Sequence, residues 1–571
     1  MGVTLQTVTE LRTGAVAKPP LLLEVDLSRG LAEAPPSDPV AALRRRHSPL
    51  LADVVEGLRR AATDDDVVGA VLLVGPGPAS AAHADELGAA LAALGRSGTM
   101  TVAFAETFGE LGPGTVSYAL AVHCDEVWLQ PSGSVGLTGV TLDVTFLRGL
   151  LDKVDAEPMI GQRHQYKSAA ETFTRDTMSE PNREMTQRLA DSVVEQVRGT
   201  LVRRRRLLEP DVVAAMETAP MHADEALSRG LVDHLGYRGE LYADLRRRLG
   251  RDGALRLQFA HRYAKKRASR PTERALARRQ PVVATVPVRG SIVAGHSRPG
   301  GLLGPFVGSD TVCAALARLH DDAAVKAVVL RVDSPGGSYV ASDAIRGALL
   351  ALRATGRPVI ASMGQLAASG GYFVSMPCDR IVSSASTLTG SIGVLAGKVV
   401  VHETLARVGI TRETIGSGPQ AEMFSTNLRY NDDQWQRLQV WLDAVYDDFT
   451  RKAAHDRGMP LAELEPLARG RVWTGADAHE RGLVDELGGL EHAIGVACER
   501  TGLRRHQVRV RRPHLGLKDR IRPAESTASP AAASVVHEQL SPAGELLRLL
   551  YETLGAPRTG VLSLPWDLQV R

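Results

Sequence analysis

Cysteine is scarce: four in 571 residues, Cys124, Cys313, Cys378 and Cys498, widely spaced and never as a CxxC pair. That excludes a disulfide framework and a cysteine zinc site, and it suits a reducing compartment. Net charge is nearly absent at +3, so nucleic acid is not expected as a partner. No apolar run approaches the length that crosses a bilayer. The N-terminus, MGVTLQTVTELRTGAVAKPP, lacks the basic start, apolar core and cleavage site of a secretory signal. The expected location is cytoplasmic, without a transmembrane anchor. HExxH and GxSxG are missing as well, so neither a zinc hydrolase nor a histidine-assisted serine elbow is expected, and no metal or cofactor is called for. The basic clusters at Arg44–Arg46, Arg203–Arg206 and Arg262–Arg279 read as solvated faces and a linker, with peripheral contact to an anionic membrane as the sharper alternative.

What the chain does have is an internal repeat. Cys124-Asp125-Glu126-Val127 matches Cys378-Asp379-Arg380-Ile381, and Ser132, Gly136, Gly139 and Val140 fall on Ser386, Gly390, Gly393 and Val394 without a gap. SRGLVDHLG (Ser228 to Gly236) matches ERGLVDELG (Glu480 to Gly488), and VGAVLLV (Val68 to Val74) pairs with VKAVVLR (Val325 to Arg331). Unbroken Val, Ile and Leu runs alternating with amphipathic stretches predict an α/β unit whose strands are buried on both faces. The expected organisation is an N-terminal repeat over residues 1–258, a basic linker or exposed helix at 259–280, a C-terminal repeat over 281–505 and a tail over 506–571. The Pro/Ala/Ser-rich stretch Pro523 to Pro542 reads as disordered, and Gly544 to Gly555 as an amphipathic helix.

The halves differ where chemistry would need them to. VDSPGGS (Val332 to Ser338) follows a strand and offers consecutive glycines whose N–H groups face a substrate unobstructed. Its counterpart, GPGPAS (Gly75 to Ser80), has prolines. LAASGGY (Leu366 to Tyr372) sets Ser369 before two glycines, whereas GPGTVSY (Gly112 to Tyr118) has Thr115, Val116 and Ser117 there. In the reverse sense, HQYKSAAETFTRDTMS (His164 to Ser179) carries Lys167, and the matching stretch Gly416 to Met423 has Glu422 near that position. A serine hydroxyl needs a base to become a nucleophile. A lysine serves only when neutral, so its pKa must come down from about 10.4 to near 7, as burial against apolar walls can arrange.

SPGG (Ser334 to Gly337), AASGGYF (Ala367 to Phe373), STLTGSIGV (Ser386 to Val394), YKSA with F-x-R-x-x-M-S (Tyr166 to Ser179) and WTGADAHERGLVDELGG (Trp473 to Gly489) together resemble the signal peptide peptidase A (protease IV) family in its long tandem-repeat form, over about residues 20 to 505. The resemblance implies a duplicated crotonase/Clp-protease-like spiral ββα fold, a bowl-shaped homotetramer, and peptide substrates such as cleaved signal peptides or unfolded apolar segments. It implies Ser369 as nucleophile, Lys167 as general base and Ser391 as the serine that holds the lysine amine. The oxyanion hole would be built from N–H groups of Gly336 or Gly337 and of Gly370. Leu137 stands opposite Ser391, which fits one site rather than two. Two departures are the missing membrane anchor and Thr172, where the family has proline. A crotonase-like acyl-thioester enzyme and an inactive peptide-binding scaffold are the competing readings.

Overall fold

The computed structural model describes residues 18–28, 30–34, 48–75, 80–110, 112–269, 279–298, 305–512 and 562–563. The predicted tail elements at 523–542 and 544–555 lie outside them. In the first unit, β1 (Leu21–Asp26), α1 (Leu51–Ala61), β2 (Val67–Val74), β3 (Met100–Ala105) and β4 (Glu126–Leu129) are followed by β5 (Glu157–Gln162), α2 (Glu180–Arg205), β6 (His234–Leu235), β7 (Arg256–Phe259) and α3 (Ala260–Ala268). Six parallel strands in the order β6–β4–β3–β2–β1–β7 form its sheet. The second unit runs β8 (Val282–Arg289), β9 (Val325–Ser334), β10 (Gly336–Gly337), β11 (Val359–Ala368), α4 (Gly370–Ser375), β12 (Arg380–Ser383), β13 (Leu388–Gly390), β14 (Leu395–Val400), β15 (Val472–Thr474), α5 (Gly475–Glu480), β16 (Glu486–Leu487) and β17 (Arg509–Arg511). Here β16–β12–β11–β9–β8–β17 repeat the same parallel order. β13 and β15 extend the end of β11.

The unbroken apolar runs are the central strands. Val328, Val329, Leu330 and Val332 of β9 are all fully buried, as a parallel strand covered on both faces requires. Phe259 to Ala268, expected as a linker or exposed helix, forms a strand and a helix that close the first unit. β7 pairs with β1, and α3 buries Ala260, Tyr263 and Ala264 at helical spacing against α1. Its charges occupy the outer face.

Three contacts lock the units together. β5 of the first unit pairs antiparallel with β14 of the second, from Leu395↔Gln162 to Val400↔Glu157. α2 lies on β15, where Ser192 Oγ and Thr474 Oγ1 are 2.7 Å apart and Arg188 donates to Asp477 at 2.8 and 3.0 Å. The third contact is ionic. The buried Arg331 guanidinium of β9 donates to Glu33 Oε1 at 2.6 Å, to Glu86 Oε2 at 2.9 Å and to Ser362 Oγ at 3.0 Å. Burial alone would raise the Glu33 carboxyl, but Arg331 and His83 outweigh it and hold that group well below the usual carboxylate range. Arg331→Met strands two buried carboxylates, so it is expected to destabilise the chain by about 3–5 kcal/mol near neutral pH. The deficit should narrow toward pH 4 as the Glu33 carboxyl, no longer held down by Arg331, protonates, measurable by denaturant titration across pH.

Candidate active site

Ser369 sits between the end of β11 and the first residue of α4, at φ 54° and ψ −113°. This sparsely populated backbone turns the strand into the helix within one residue. The turn is held by Ser369 N–H donating to Gly390 O at 2.8 Å and Phe373 N–H to Ser369 O at 2.9 Å. Both following glycines are sterically required. A Cβ on Gly370 would come within 2.9 Å of Ser342 Oγ and 3.1 Å of Gly336 Cα, and one on Gly371 within 2.6 Å of Ser334 O. The same close approach brings Gly370 against β10.

β10 is fastened on one side. Ser338 N–H donates to Ile292 O at 2.8 Å, and Gly336 N–H to Ser334 Oγ at 3.1 Å. Strand alternation therefore turns the Gly337 N–H to the opposite edge. Gly370 begins α4, so its N–H has no intrahelical partner. Of the three glycines singled out in the sequence, the N–H of Gly336 is taken by Ser334, that of Gly337 turns to the edge of β10 on which the strand Leu562–Ser563 pairs, and that of Gly370 has no intrahelical partner.

Lys167 reaches this turn from the other unit. The β5–β14 ladder ends with Arg163 N–H donating to Val394 O at 3.0 Å, and Tyr166 N–H then donates to Arg469 O at 3.2 Å. The loop after Lys167 is knotted by Glu171, whose carboxylate accepts from Ser179 N–H at 3.1 Å, from Asn182 Nδ2 at 2.9 Å and from the Ser179 hydroxyl. Thr172 is buried beside it, and its Oγ1 has no hydrogen-bond partner. Lys167 Nζ lies 2.9 Å from Ser369 Oγ, 3.0 Å from Ser391 Oγ and 3.1 Å from Ser391 O. All three residues are buried, Lys167 at 1% exposure, Ser369 at 0% and Ser391 at 2%. Burial without a compensating carboxylate pushes the Lys167 ammonium down to about 7.

That geometry has a chemical consequence. An ammonium has three donors for three acceptors. Once it loses a proton, two N–H groups and one lone pair remain. The Ser391 carbonyl can only accept, so it keeps an N–H. The lone pair must therefore face a hydroxyl, and Ser369 Oγ is the nearer of the two.

Among the described residues the first unit holds no equivalent. Thr115 is buried, and its Oγ1 accepts the Gly139 N–H at 3.0 Å, a turn fastener. Glu422 lies half-exposed in a turn.

Sequence reasoning missed the wall behind the lysine. Arg469 (φ 52°) and Gly470 (φ 82°) turn back so that Gly470 N–H donates to Ile392 O at 2.7 Å and Arg471 O accepts from Ser391 N–H at 2.7 Å. A Cβ on Gly470 would lie 2.5 Å from both Lys167 Cβ and Lys167 N. The signal was available: in the register of the two RGLVD segments, Gly470 falls on Thr218. Gly470→Ala is expected to fold but to displace the lysine, lowering kcat for peptide hydrolysis about 10²-fold while the melting transition stays cooperative.

A family model described as Peptidase family S49 matches residues 109–250 and 351–504, which include Lys167, Ser369 and Ser391. Protease 4 of Salmonella typhi is 32% identical over 461 residues, 79% of this chain and 72% of that protein. Serine protease SPPA, chloroplastic, of Arabidopsis thaliana is 30% identical over 477 residues, 82% of this chain and 69% of that protein. Protease 4 of Haemophilus influenzae is 30% identical over 458 residues, 78% and 72% of the two chains. Among the described residues no helix is long and apolar enough to cross a membrane. A buried serine within hydrogen-bond reach of a lysine, on a chain matched by these relatives over most of its length, leads to one assignment: the chain is a serine peptidase and belongs to peptidase family S49.

Proposed function

We propose that the chain cleaves signal peptides and other unfolded apolar peptides through an acyl-enzyme on Ser369, with Lys167 as the general base. The observation that carries this is the buried amine 2.9 Å from Ser369 Oγ. Neutral Lys167 takes the Ser369 proton as Oγ attacks the scissile carbonyl, and passes it to the departing amine as the C–N bond breaks. It then takes a proton from the water that attacks the ester, and returns it to Ser369 Oγ. Ser391 keeps the amine aimed, and the N–H groups of Gly337 and Gly370 receive the oxyanion. Substrate class follows the relatives' names, one of which is a putative signal peptide peptidase.

The finer reading of the fold is a tandem duplication of a crotonase/Clp-like spiral unit, supported by the shared strand order of the two sheets. An oligomer, a tetramer by the family resemblance, belongs to the same reading. Exposed Val408, Ile415 and Phe424, at 70%, 96% and 77%, support it.

A labelled fluorophosphonate, located by peptide mapping, tests the mechanism. The expected label is on Ser369 in the wild-type chain and falls at least about tenfold in rate in Lys167→Ala. Label elsewhere, or an unchanged rate in that variant, overturns it.

A further inference from the structure

Behind the two glycines of β10 stands a hydroxyl that the mechanism above does not use. Ser334, the last residue of β9, is fully buried. Its Oγ donates to Gly290 O at 2.7 Å and accepts the Gly336 N–H at 3.1 Å. Both directions are fixed. A carbonyl only accepts and a backbone N–H only donates, so the single hydroxyl proton goes to Gly290 and a lone pair meets Gly336. Gly290 is itself anchored, its N–H donating to Asp333 O at 2.9 Å.

Two fastenings therefore bracket one peptide unit. The peptide joining Pro335 to Gly336 is held by Ser334 Oγ, and the one joining Gly337 to Ser338 by the Ser338 N–H on Ile292 O at 2.8 Å. Between them lies the peptide joining Gly336 to Gly337. Its nitrogen is 3.1 Å from the place where a Gly370 Cβ would stand, directly after Ser369. Gly336 (φ 106°) and Gly337 (φ 150°) both adopt backbone that residues with a Cβ rarely reach. Glycine enters such conformations freely and leaves them as freely, so a peptide between two glycines rotates unless both ends are held. Without the Ser334 hydroxyl one end is released, and the Gly336 carbonyl is free to turn into the place of the Gly337 N–H.

We propose that Ser334 is a positioning residue for peptide hydrolysis: its hydroxyl fixes the peptide between Gly336 and Gly337 so that an N–H, not a carbonyl, meets the developing oxyanion. This rests on the peptidase reading given above. The repeat supplies a comparison. In the register that sets VDSPGGS (Val332 to Ser338) against VGPGPAS (Val74 to Ser80), Ser334 falls on Pro76, which has no hydroxyl. The first unit keeps the strand leading to this position, β2, but has Thr115 in place of the nucleophile. The hydroxyl thus accompanies the chemistry and not the strand.

The full-length chain carrying Ser334→Ala or Ser334→Cys tests the assignment. Cysteine keeps the shape of serine while its thiol is a weak donor and acceptor, so a loss shared by both variants is not the effect of a cavity. In both, kcat for an apolar peptide is expected to fall about 10²-fold, with KM within about twofold of wild type. A peptide aldehyde, whose adduct with a serine hydroxyl carries the oxyanion, should bind about 10²-fold more weakly. The matching peptide alcohol forms no adduct, and its affinity should stay within about twofold of wild type. Amide hydrogen exchange at Gly336 should be faster in both variants. Unchanged kcat in either variant, an equal loss of aldehyde and alcohol affinity, or unchanged exchange at Gly336 overturns the proposal. A wild-type chain that neither hydrolyses peptides nor binds the aldehyde removes the peptidase reading and this proposal with it, whereas an active wild type with equally active variants removes this proposal alone.

Discussion

Ser369→Ala is expected to lose peptide hydrolysis by about 10⁴-fold or more while folding normally. The attacking oxygen is absent, and no other hydroxyl can take its place. Ser391 Oγ also lies against Lys167 Nζ, but its residue follows β13 and is fastened by its N–H to Arg471 O, outside the turn that joins β11 to α4. Thr115, the counterpart in the other unit, is committed to Gly139, so Thr115→Ala should leave turnover unchanged. The backbone at position 369 adds a second readout. At φ 54° and ψ −113° a residue bearing Cβ is strained by about 1–3 kcal/mol. Glycine escapes that strain at an entropic cost of about 1 kcal/mol or less. Ser369→Gly should thus be as inactive as Ser369→Ala but more stable by about 1 kcal/mol in denaturant titration. If the alanine variant is the more stable, the turn is not storing strain at the nucleophile.

How far the site was legible depends on which residues one asks about. Ser369 and Lys167 stood out because the repeat supplies an internal control: glycines follow one serine and not the matching threonine, and a lysine appears on one side only. Central strands such as Val325–Ser334 were legible because burial on both faces leaves an unbroken apolar run. The route by which Lys167 crosses to the other unit was not. β5 reads EPMIGQ, with a proline, a glycine and little alternation, and its partner β14 lies more than 200 residues away, a pairing no local period records. The same distance hid Arg331, which reads as the polar end of a strand until Glu33 and Glu86 fold against it. In sequence α3 reads as linker or exposed helix because Lys265, Lys266 and Arg267 dominate its composition, and only Ala260, Tyr263 and Ala264 mark a buried face. Composition reports the solvent side of such a helix.

Lys167→Met is expected to abolish turnover and, at pH 6, to make the chain more stable. A lysine that ionises near 10.5 when unfolded and at about 7 when buried binds fewer protons in the folded state between those limits. Wild-type stability therefore rises with pH across that window. Below about 7 both states are protonated, and the full cost of burying the ammonium, about 5 kcal/mol, weighs on the fold. Methionine has similar length and no charge, so it removes that cost. Against this, the Ser369 and Ser391 hydroxyls and the Ser391 carbonyl lose their partner, at about 1–3 kcal/mol. The net expectation is a gain of about 2 kcal/mol at pH 6, which shrinks by about 2.7 kcal/mol on going to pH 9 and so changes sign. The activity of the wild type should trace the same titration from the other side: below pH 7, kcat/KM rises about tenfold per pH unit, and it levels off above about pH 8 as the amine becomes fully neutral. Denaturant titrations of both chains from pH 6 to 9, set beside that profile, check the argument. A stability difference that stays constant over this range would mean that Lys167 does not titrate there, and the base would have to be sought elsewhere.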